Sequence, residues 1–173
     1  MNLYFRCLLV WVLSLFRPRL GLLDISVLKL RVLPGDLDIY GHMNNGRYLT
    51  IMDLGRFDLI LRSPLGKIIR RRQWNPIVAA STVSYYRPLQ VFDGFELHTR
   101  VVAWDEKWVY LEQRFEKKGK LAAAGLIKGL LVGREGSVPT EAWLKETGAE
   151  VQAPVMPENV RAFHEMTARK EGR

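Results

Sequence analysis

The sequence predicts an α+β domain in which one long helix packs against a single antiparallel sheet of about five strands. One observation is a run of alternating apolar and polar residues, followed by a segment with apolar residues at helical spacing. Another is a series of four strand-like runs joined by short turns, which is typical of an antiparallel meander. The third is size, because 173 residues, nearly half of them hydrophobic, suffice for one domain. Such a sheet covers the helix on one face only, so we expect a dimer.

Residues 1–20 form an apolar leader that is distinct from the predicted domain. Its apolar run, Cys7 to Phe16, has about ten residues, whereas a helix needs about twenty to cross a bilayer. No small-residue cleavage site of a signal peptide follows this run. Two interpretations remain open: a helix anchored at a membrane interface by Trp11 and the flanking arginines, or a helix that packs on the protein itself. We therefore expect a cytoplasmic protein, either free or peripheral at the inner face of a membrane.

The predicted domain occupies residues 21–150 and begins with a strand inside residues 22–33. A helix follows from Asn45 to about Leu61, because its apolar residues recur at helical spacing. Gly55 lies in the middle of this helix, where glycine is unfavourable on propensity alone. Its presence therefore predicts a close approach of the helix to the sheet.

Four more strands and a short helix complete the domain. The short helix opens at Thr140, and residues 151–173 are expected to form an exposed tail that can be helical. Turns at Asp-Gly, Asp-Glu and Lys-Gly pairs separate the strands. The four strand sequences are PIVAASTVSYY, FELHTRVVAW, WVYLEQRFE and LAAAGLIKGLLVG.

Composition limits the classes of partner and cofactor. The formal charge of +8 suggests a nucleic acid, a lipid headgroup or a phosphorylated small molecule as partner. No RNA-binding or DNA-reading motif is present, so we expect no nucleic acid partner. The single cysteine, Cys7, excludes an internal disulfide, and the three histidines lie far apart without zinc-ligand spacing. We therefore expect neither a metal nor another cofactor.

A polar segment, DLDIYGHMNN at residues 36–45, lies between the first strand and the long helix. The amides of Asn45, Gly46 and Arg47 begin the helix and have no partner within it. They and the helix dipole favour negative charge, so an acyl carbonyl placed there would be polarised. Asp38 can lie beside the same point and attack as a nucleophile or take a proton from water.

The neighbouring residues can support this chemistry or serve structure alone. Gly41 allows a tight turn, and His42 and the asparagine side chains can orient water or the loop. In the structural interpretation Asn44 is a helix cap and Asp36 accepts a hydrogen bond within a turn. The residues by themselves leave both interpretations open.

The pattern D-x-D-x-x-G-H-x-N-N-x-x-Y, present at residues 36–48, resembles the 4-hydroxybenzoyl-CoA thioesterase family of hotdog-fold proteins. A second signature, YRPL at residues 86–89 followed by Asp93-Gly94, is correctly spaced from the first. The resemblance covers residues 26–133. With its apolar leader, the chain is most similar to the thioesterase superfamily member 6-like branch.

This resemblance implies a hotdog homodimer, or a dimer of dimers, with active sites at the subunit interface. The implied reaction is hydrolysis of an acyl-CoA or another acyl thioester, without a cofactor. Asp38 matches the family's catalytic aspartate, and Asn45 matches the helix-start amide that polarises the carbonyl. His42 is usual in this subgroup and is the third candidate. The helix positions where many relatives carry glutamate hold other residues here, namely Thr50, Asp53 and Leu54, so no helix carboxylate is assigned.

The remaining candidates are expected to bind substrate: Gly41, Asn44, Gly46, Arg47, Tyr48, Arg70, Arg71 and Arg72. Tyr48 and Met52 suit the helical core equally well. The three consecutive arginines suit a solvated loop face, a phosphate clamp for coenzyme A or a patch that faces anionic lipid. The alternative to a hydrolase is a non-catalytic hotdog protein that binds an acyl thioester or lipid at a membrane surface.

Overall fold

The computed structural model describes residues 2–148 and 151–168. Within these residues the chain forms a single sheet and helices on both of its faces. The helices are α1 (Asn2–Phe16), α2 (Asn45–Arg62), α3 (Pro64–Arg72), α4 (Thr140–Thr147) and α5 (Glu158–Ala168), with a 3₁₀ turn at Pro34–Asp36. The strands are β1 (Ser26–Arg31), β2 (Asn75–Tyr85), β3 (Gly94–Trp104), β4 (Val109–Lys117), β5 (Lys120–Gly133) and β6 (Gly136–Val138).

The sheet has the strand order β1-β3-β4-β5-β2, with every neighbouring pair antiparallel and β6 added to β5. The α+β prediction is therefore confirmed, and the boundaries of β2 to β5 lie within one residue of those expected. Because β3, β4 and β5 are consecutive neighbours, β1 and β2 form the two edges of the sheet. Because β2 lies at an edge, one side of this strand has no neighbouring strand among the described residues.

The long helix α2 packs across one face of the sheet, as Gly55 predicted. A Cβ atom built at Gly55 would lie 2.8 Å from Gln113 Nε2 and would also contact Thr99 on β3. The Gln113 amide is buried and donates to Met52 O and to Thr99 Oγ1, each at 2.9 Å. These bonds join the middle of α2 to the sheet, and a side chain at position 55 would separate them.

The leader residues form α1, which packs along α2. Its inner face includes buried Val10 and Ser14, and Arg6 on the helix and Arg17 just after it contact buried aspartates of the domain. Its outer face exposes a row of large apolar side chains: Tyr4, Phe5, Leu8, Leu9, Trp11, Val12, Leu13, Leu15 and Phe16. None of the described helices combines the length and apolar character needed to span a membrane.

Two segments differ from the expectation. Residues 64–72 form helix α3 rather than a loop, because Pro64 occupies the first helical turn, where its missing N–H costs nothing. The tail is helical at α5, as the sequence allowed, but it is not exposed throughout, because Val160 and Phe163 are buried against the face of the sheet opposite α2. Both differences have one cause: a proline or a polar segment can begin a packed helix as readily as it can end one.

Candidate active site

The motif residues fold into a small hairpin that leads directly into α2. Asp38 N donates to His42 O at 2.8 Å, and Gly41 N donates to Asp38 O at 3.2 Å. Gly41 has a φ of +76°, a conformation that glycine adopts without strain, so the tight turn predicted there is confirmed. Asn44 N donates to Asp36 O at 2.9 Å, which holds the start of α2 beside the chain that enters the hairpin.

Asp38 is half-buried, and its hydrogen bonds come from the backbone. Its Oδ1 accepts from Tyr40 N at 2.9 Å and from His42 N at 3.3 Å. Within the described residues no arginine or lysine contacts this carboxylate. Backbone amides fix its orientation, while its charge is not neutralised by a cation.

Asp36, two residues earlier, is fully buried and contacts two arginines. Its Oδ2 accepts from Arg6 Nη2 at 2.6 Å and from Leu33 N at 2.9 Å. Its Oδ1 accepts from Nε and Nη2 of Arg47, at 3.1 and 2.9 Å. Burial by itself would raise the pKa of Asp36. The bonds from Leu33 and Arg47 and the charge of Arg6 outweigh burial and hold this pKa below its usual value.

The first turn of α2 offers fewer open amides than the sequence predicted. Asn44 caps the helix: its Oδ1 accepts from Gly46 N at 2.9 Å, and its carbonyl accepts from Arg47 N at 2.8 Å. Within the described residues, the Asn45 amide is the one of the three that keeps no acceptor. The Asn45 carbonyl accepts from Tyr85 Oη at 3.0 Å, which ties this turn to the end of β2.

Three predicted residues have surroundings that differ from the expected ones. The Arg47 side chain forms an ion pair with Asp36, and this contact supports the loop before α2. Tyr48 is 2% exposed and packs edge-on against the rings of Tyr85 and Phe115, so it belongs to the core. Burial raises the pKa of Tyr48 to about 12. His42 contributes backbone groups to the hairpin, and its catalytic role stays a prediction.

The arginine cluster, Arg70 to Arg72, lies on α3 beyond the far end of α2. Since α2 has 18 residues, its two ends are roughly 26 Å apart at 1.5 Å per residue. Arg71 Nη2 lies 2.5 Å from Glu146 Oε2, and Arg72 Nε lies 2.6 Å from Glu146 Oε1. Within one chain, therefore, these arginines are not brought together with Asp38. Their predicted phosphate contact stays a prediction.

A cavity of about 380 Å³, which the sequence patterns did not predict, lies between the second half of α2 and the sheet. Its α2 wall runs from Asp53 to Ile60, and its lining is mainly aliphatic. It reaches the start of β2, where Ile77 and Val78 are 47% and 45% exposed. Its walls come from eight helices and strands and the segment before β1. No local pattern marks a space of this kind.

The described residues contain no group of three or more His, Cys, Asp or Glu side chains that could hold a metal ion.

A long helix against an antiparallel sheet of this order defines a hotdog fold, as predicted. The structure is similar to that of the probable thioesterase YbaW from Escherichia coli, with a TM-score of 0.66 and 22% identity, covering 70% of this chain and 94% of that one. It is also similar to the DHNA-CoA thioesterase from Staphylococcus aureus, with a TM-score of 0.63 and 16% identity, covering 86% and 95%.

The family model of the Thioesterase-like superfamily matches residues 32–163, and the chain belongs to this superfamily. Its sequence is similar to Protein THEM6 of Danio rerio, with 40% identity over 121 residues, which are 70% of this chain and 58% of that protein. This agrees with the branch that the motif and leader indicated. The chain spans about three fifths of the length of such curated relatives.

Proposed function

We propose that this protein hydrolyses acyl thioesters of coenzyme A, with Asp38 as the reacting carboxylate and the Asn45 amide as the group that polarises the carbonyl. The observation that carries this proposal is the presence of two available groups, one in the hairpin and one at the start of the helix that follows it. Among the described residues, Asp38 is a carboxylate without a cation, and Asn45 is a helix-start amide without an acceptor. The family supports the reaction class.

In the proposed reaction the thioester oxygen accepts a hydrogen bond from Asn45 N–H at the positive end of the α2 dipole. Asp38 then takes a proton from water as the water oxygen bonds to the carbonyl carbon. Alternatively, Asp38 attacks this carbon itself and forms an anhydride that water hydrolyses. In both routes the C–S bond breaks, the thiolate leaves, and the products are a free acid and coenzyme A.

Release of free thiol from short, long and aromatic acyl-CoAs tests this proposal. Asp38→Asn should lower turnover at least about 100-fold, because it removes the base or nucleophile and hardly changes volume. Asp24→Asn, a substitution of the same type at an exposed turn, should keep full activity. Equal turnover by the two variants would contradict the role of Asp38.

The proposed assembly is a homodimer formed through β2. This edge strand has eleven residues, nine of them exposed, and none of them charged. Natural edge strands are normally protected by charges, bulges or shortness. The β2 strand has a register shift between Val78 and Ala80, but it is long and uncharged, and its residues on both sides of the shift stay in register with β5, so its edge is suited to pair with another strand. Ile77 and Val78 supply apolar surface that such pairing would bury.

Ile77→Lys should convert the dimer into a monomer, as measured by sedimentation velocity. The matched control is Ile25→Lys, because Ile25 is also 47% exposed but lies beside the opposite edge of the sheet. A shift to monomer for the control alone would place the interface elsewhere.

The outer face of α1 supports a second part of the proposal, contact with a membrane surface. Nine large apolar side chains are exposed along this one helix while its inner face stays packed on the domain. An amphipathic helix of this kind can bury its apolar face in the headgroup region. Deleting residues 1–20 would also remove Arg6 and Arg17 from buried aspartates, so point substitutions are the cleaner test.

In cosedimentation with phosphatidylcholine–phosphatidylserine vesicles, Leu8→Ser combined with Leu15→Ser should lower the bound fraction more than about tenfold, because each leucine stabilises binding by roughly 1.5–3 kcal/mol when buried. Val155→Ser with Met166→Ser, which removes exposed apolar groups near α5, should leave binding unchanged. A wild-type protein that stays in the supernatant would contradict membrane contact.

A further inference from the structure

We propose that, in the homodimer, each active site places its acyl chain in the cavity of the other protomer, and that the cavity selects unbranched aliphatic acyl groups of up to about twelve carbons. This inference rests on the proposed thioester hydrolysis and extends it to a substrate class.

Within one chain, the hairpin and the cavity lie at opposite ends of the same two elements. The cavity wall on α2 begins at Asp53, eight residues after Asn45, which is roughly 12 Å along the helix. On β2, Tyr85 contacts Asn45 at one end, while Val78 lines the cavity seven residues away, roughly 23 Å along the strand.

Antiparallel pairing of two β2 strands places the start of each strand beside the end of the other. If the two strands pair about their middle residue, Ala80, which adjoins the register shift of β2, the two-fold axis passes near this residue and the start of one strand faces the end of the other. Helix α2 runs antiparallel to β2, because its start contacts Tyr85 and Met52 lies near Thr82 across Gly125. The cavity end of one protomer therefore meets the hairpin end of its partner.

The helix surface agrees with this arrangement. Asp53, Phe57 and Ile60 line the cavity and occupy one face of α2, at helical spacing. The same face continues to Gly46 at the start of the helix. In a two-fold dimer, the two α2 helices run in opposite directions, and the faces that adjoin the paired β2 strands approach each other. An acyl chain that leaves the Asn45 amide would then run toward the partner's cavity wall.

The cavity lining determines the ligand class. Aliphatic side chains, among them Leu59, Val101, Leu111 and Ile127, form most of the wall. The charged side chains in it, Arg56 and Asp53, contact each other, and Arg56 also donates to Gln113 Oε1 at 2.7 Å. A hydroxyl or carboxylate on the acyl group would lose its water against walls that are mainly aliphatic. This favours a plain hydrocarbon chain.

The cavity volume limits the length of this chain. A methylene group is about as large as a water molecule, which occupies roughly 30 Å³, so 380 Å³ holds about twelve carbons. Each methylene buried should raise kcat/KM up to about fourfold. We expect kcat/KM to rise from butanoyl- to dodecanoyl-CoA and to stop rising beyond it.

Ile60→Trp fills part of the cavity, and Leu61→Trp is the matched control, because Leu61 is its half-buried neighbour on α2 outside the cavity lining. Ile60→Trp should lower kcat/KM for dodecanoyl-CoA at least about tenfold and spare butanoyl-CoA. Leu61→Trp should alter neither. Leu111→Phe, on the opposite wall, provides a second filling variant if Ile60→Trp does not fold.

The decisive experiment uses a heterodimer of one Asp38→Asn chain and one Ile60→Trp chain, purified with two different tags. The only intact Asp38 is then in the chain whose cavity is filled. If the acyl chain enters the partner's cavity, this heterodimer has one complete site and about half the wild-type activity on dodecanoyl-CoA, while both parent homodimers are nearly inactive.

Activity as low as that of the parents would show that each site uses its own cavity and would overturn the proposal, as would a monomeric wild type. If the wild type hydrolyses no acyl-CoA, the proposed function fails separately. Binding of a non-hydrolysable dodecyl-CoA thioether then decides the cavity assignment: binding weakened by Ile60→Trp supports it, and unchanged binding overturns it.

Discussion

Asp36 and Asp38 are two residues apart in one loop, and the first is fully buried whereas the second is half-buried. Asp36 contacts an arginine from α1 and another from α2. Asp38 accepts hydrogen bonds from backbone amides alone among the described residues. The comparison separates two uses of a carboxylate. One neutralises two arginines and holds the loop in place, and the other keeps a charge that no described arginine or lysine neutralises.

Asp58 extends this comparison, because it repeats the surroundings of Asp36 at a second point. It is fully buried and contacts Arg17, just after α1, and Arg62 from α2, at 3.0 and 2.9 Å, and accepts from Ser26 Oγ at 2.6 Å. Each buried aspartate thus joins the leader to α2. The leader helix is held to the domain at two points, and one of them is the candidate catalytic loop.

The largest expected effect is on Asp36. Asp36→Asn should lower the free energy of unfolding by about 3–5 kcal/mol, because it leaves two arginines facing a buried neutral group. Asp38→Asn should lower it by less than about 1 kcal/mol, because half-buried asparagine oxygen still accepts the same amide bonds. Urea unfolding of both variants measures the difference. Equal losses of unfolding free energy would contradict the difference in role between Asp36 and Asp38.

A second test compares the two arginines of the leader that contact buried aspartates, Arg6 and Arg17. The Arg6 side chain is 6% exposed and that of Arg17 is 29% exposed. Arg6→Met should therefore cost about 3 kcal/mol of unfolding free energy and Arg17→Met about 1 kcal/mol. Arg6→Met should also lower kcat, since it loosens the hairpin, whereas Arg17→Met should not. Arg6→Lys should restore part of the kcat if the charge on Asp36 positions the loop.

The smallest expected difference is in the pH dependence of the unfolding free energy at acid pH. The pKa of Asp36 is lower in the folded protein than its ordinary value of 3.8, so near that pH the unfolded chain binds more protons. The stabilisation is complete above about pH 4 and is lost as the pH falls through the folded pKa. The wild type should therefore lose stability more steeply than Asp36→Asn below about pH 4. Parallel pH profiles would indicate that Asp36 does not titrate in this way.

Local patterns predicted much of the fold and the turn that precedes α2. The period of the apolar residues located α2 and the long strands, and Gly55 marked the contact with the sheet because only glycine fits there. Asn44 was identifiable as a cap because it directly precedes the residues with helical spacing. The hairpin turn followed from Gly41.

The remaining features depend on contacts between distant residues. Arg6 meets Asp36 across 30 positions of sequence, so the motif alone could not show which of its two acids is neutralised. Arg47 was interpreted as a substrate contact because its partner was hidden for the same reason. The walls of the cavity belong to several helices and strands, and its volume depends on how these elements pack.

The most direct test of the central claim measures acyl-CoA hydrolysis and unfolding on the same samples of Asp38→Asn and Asp36→Asn. The expected result is a stable Asp38→Asn protein with turnover reduced at least about 100-fold, beside an Asp36→Asn protein whose loss of stability exceeds its loss of turnover at temperatures where it is folded. A folded Asp38→Asn protein that retains wild-type turnover would contradict the assignment of the chemistry to Asp38.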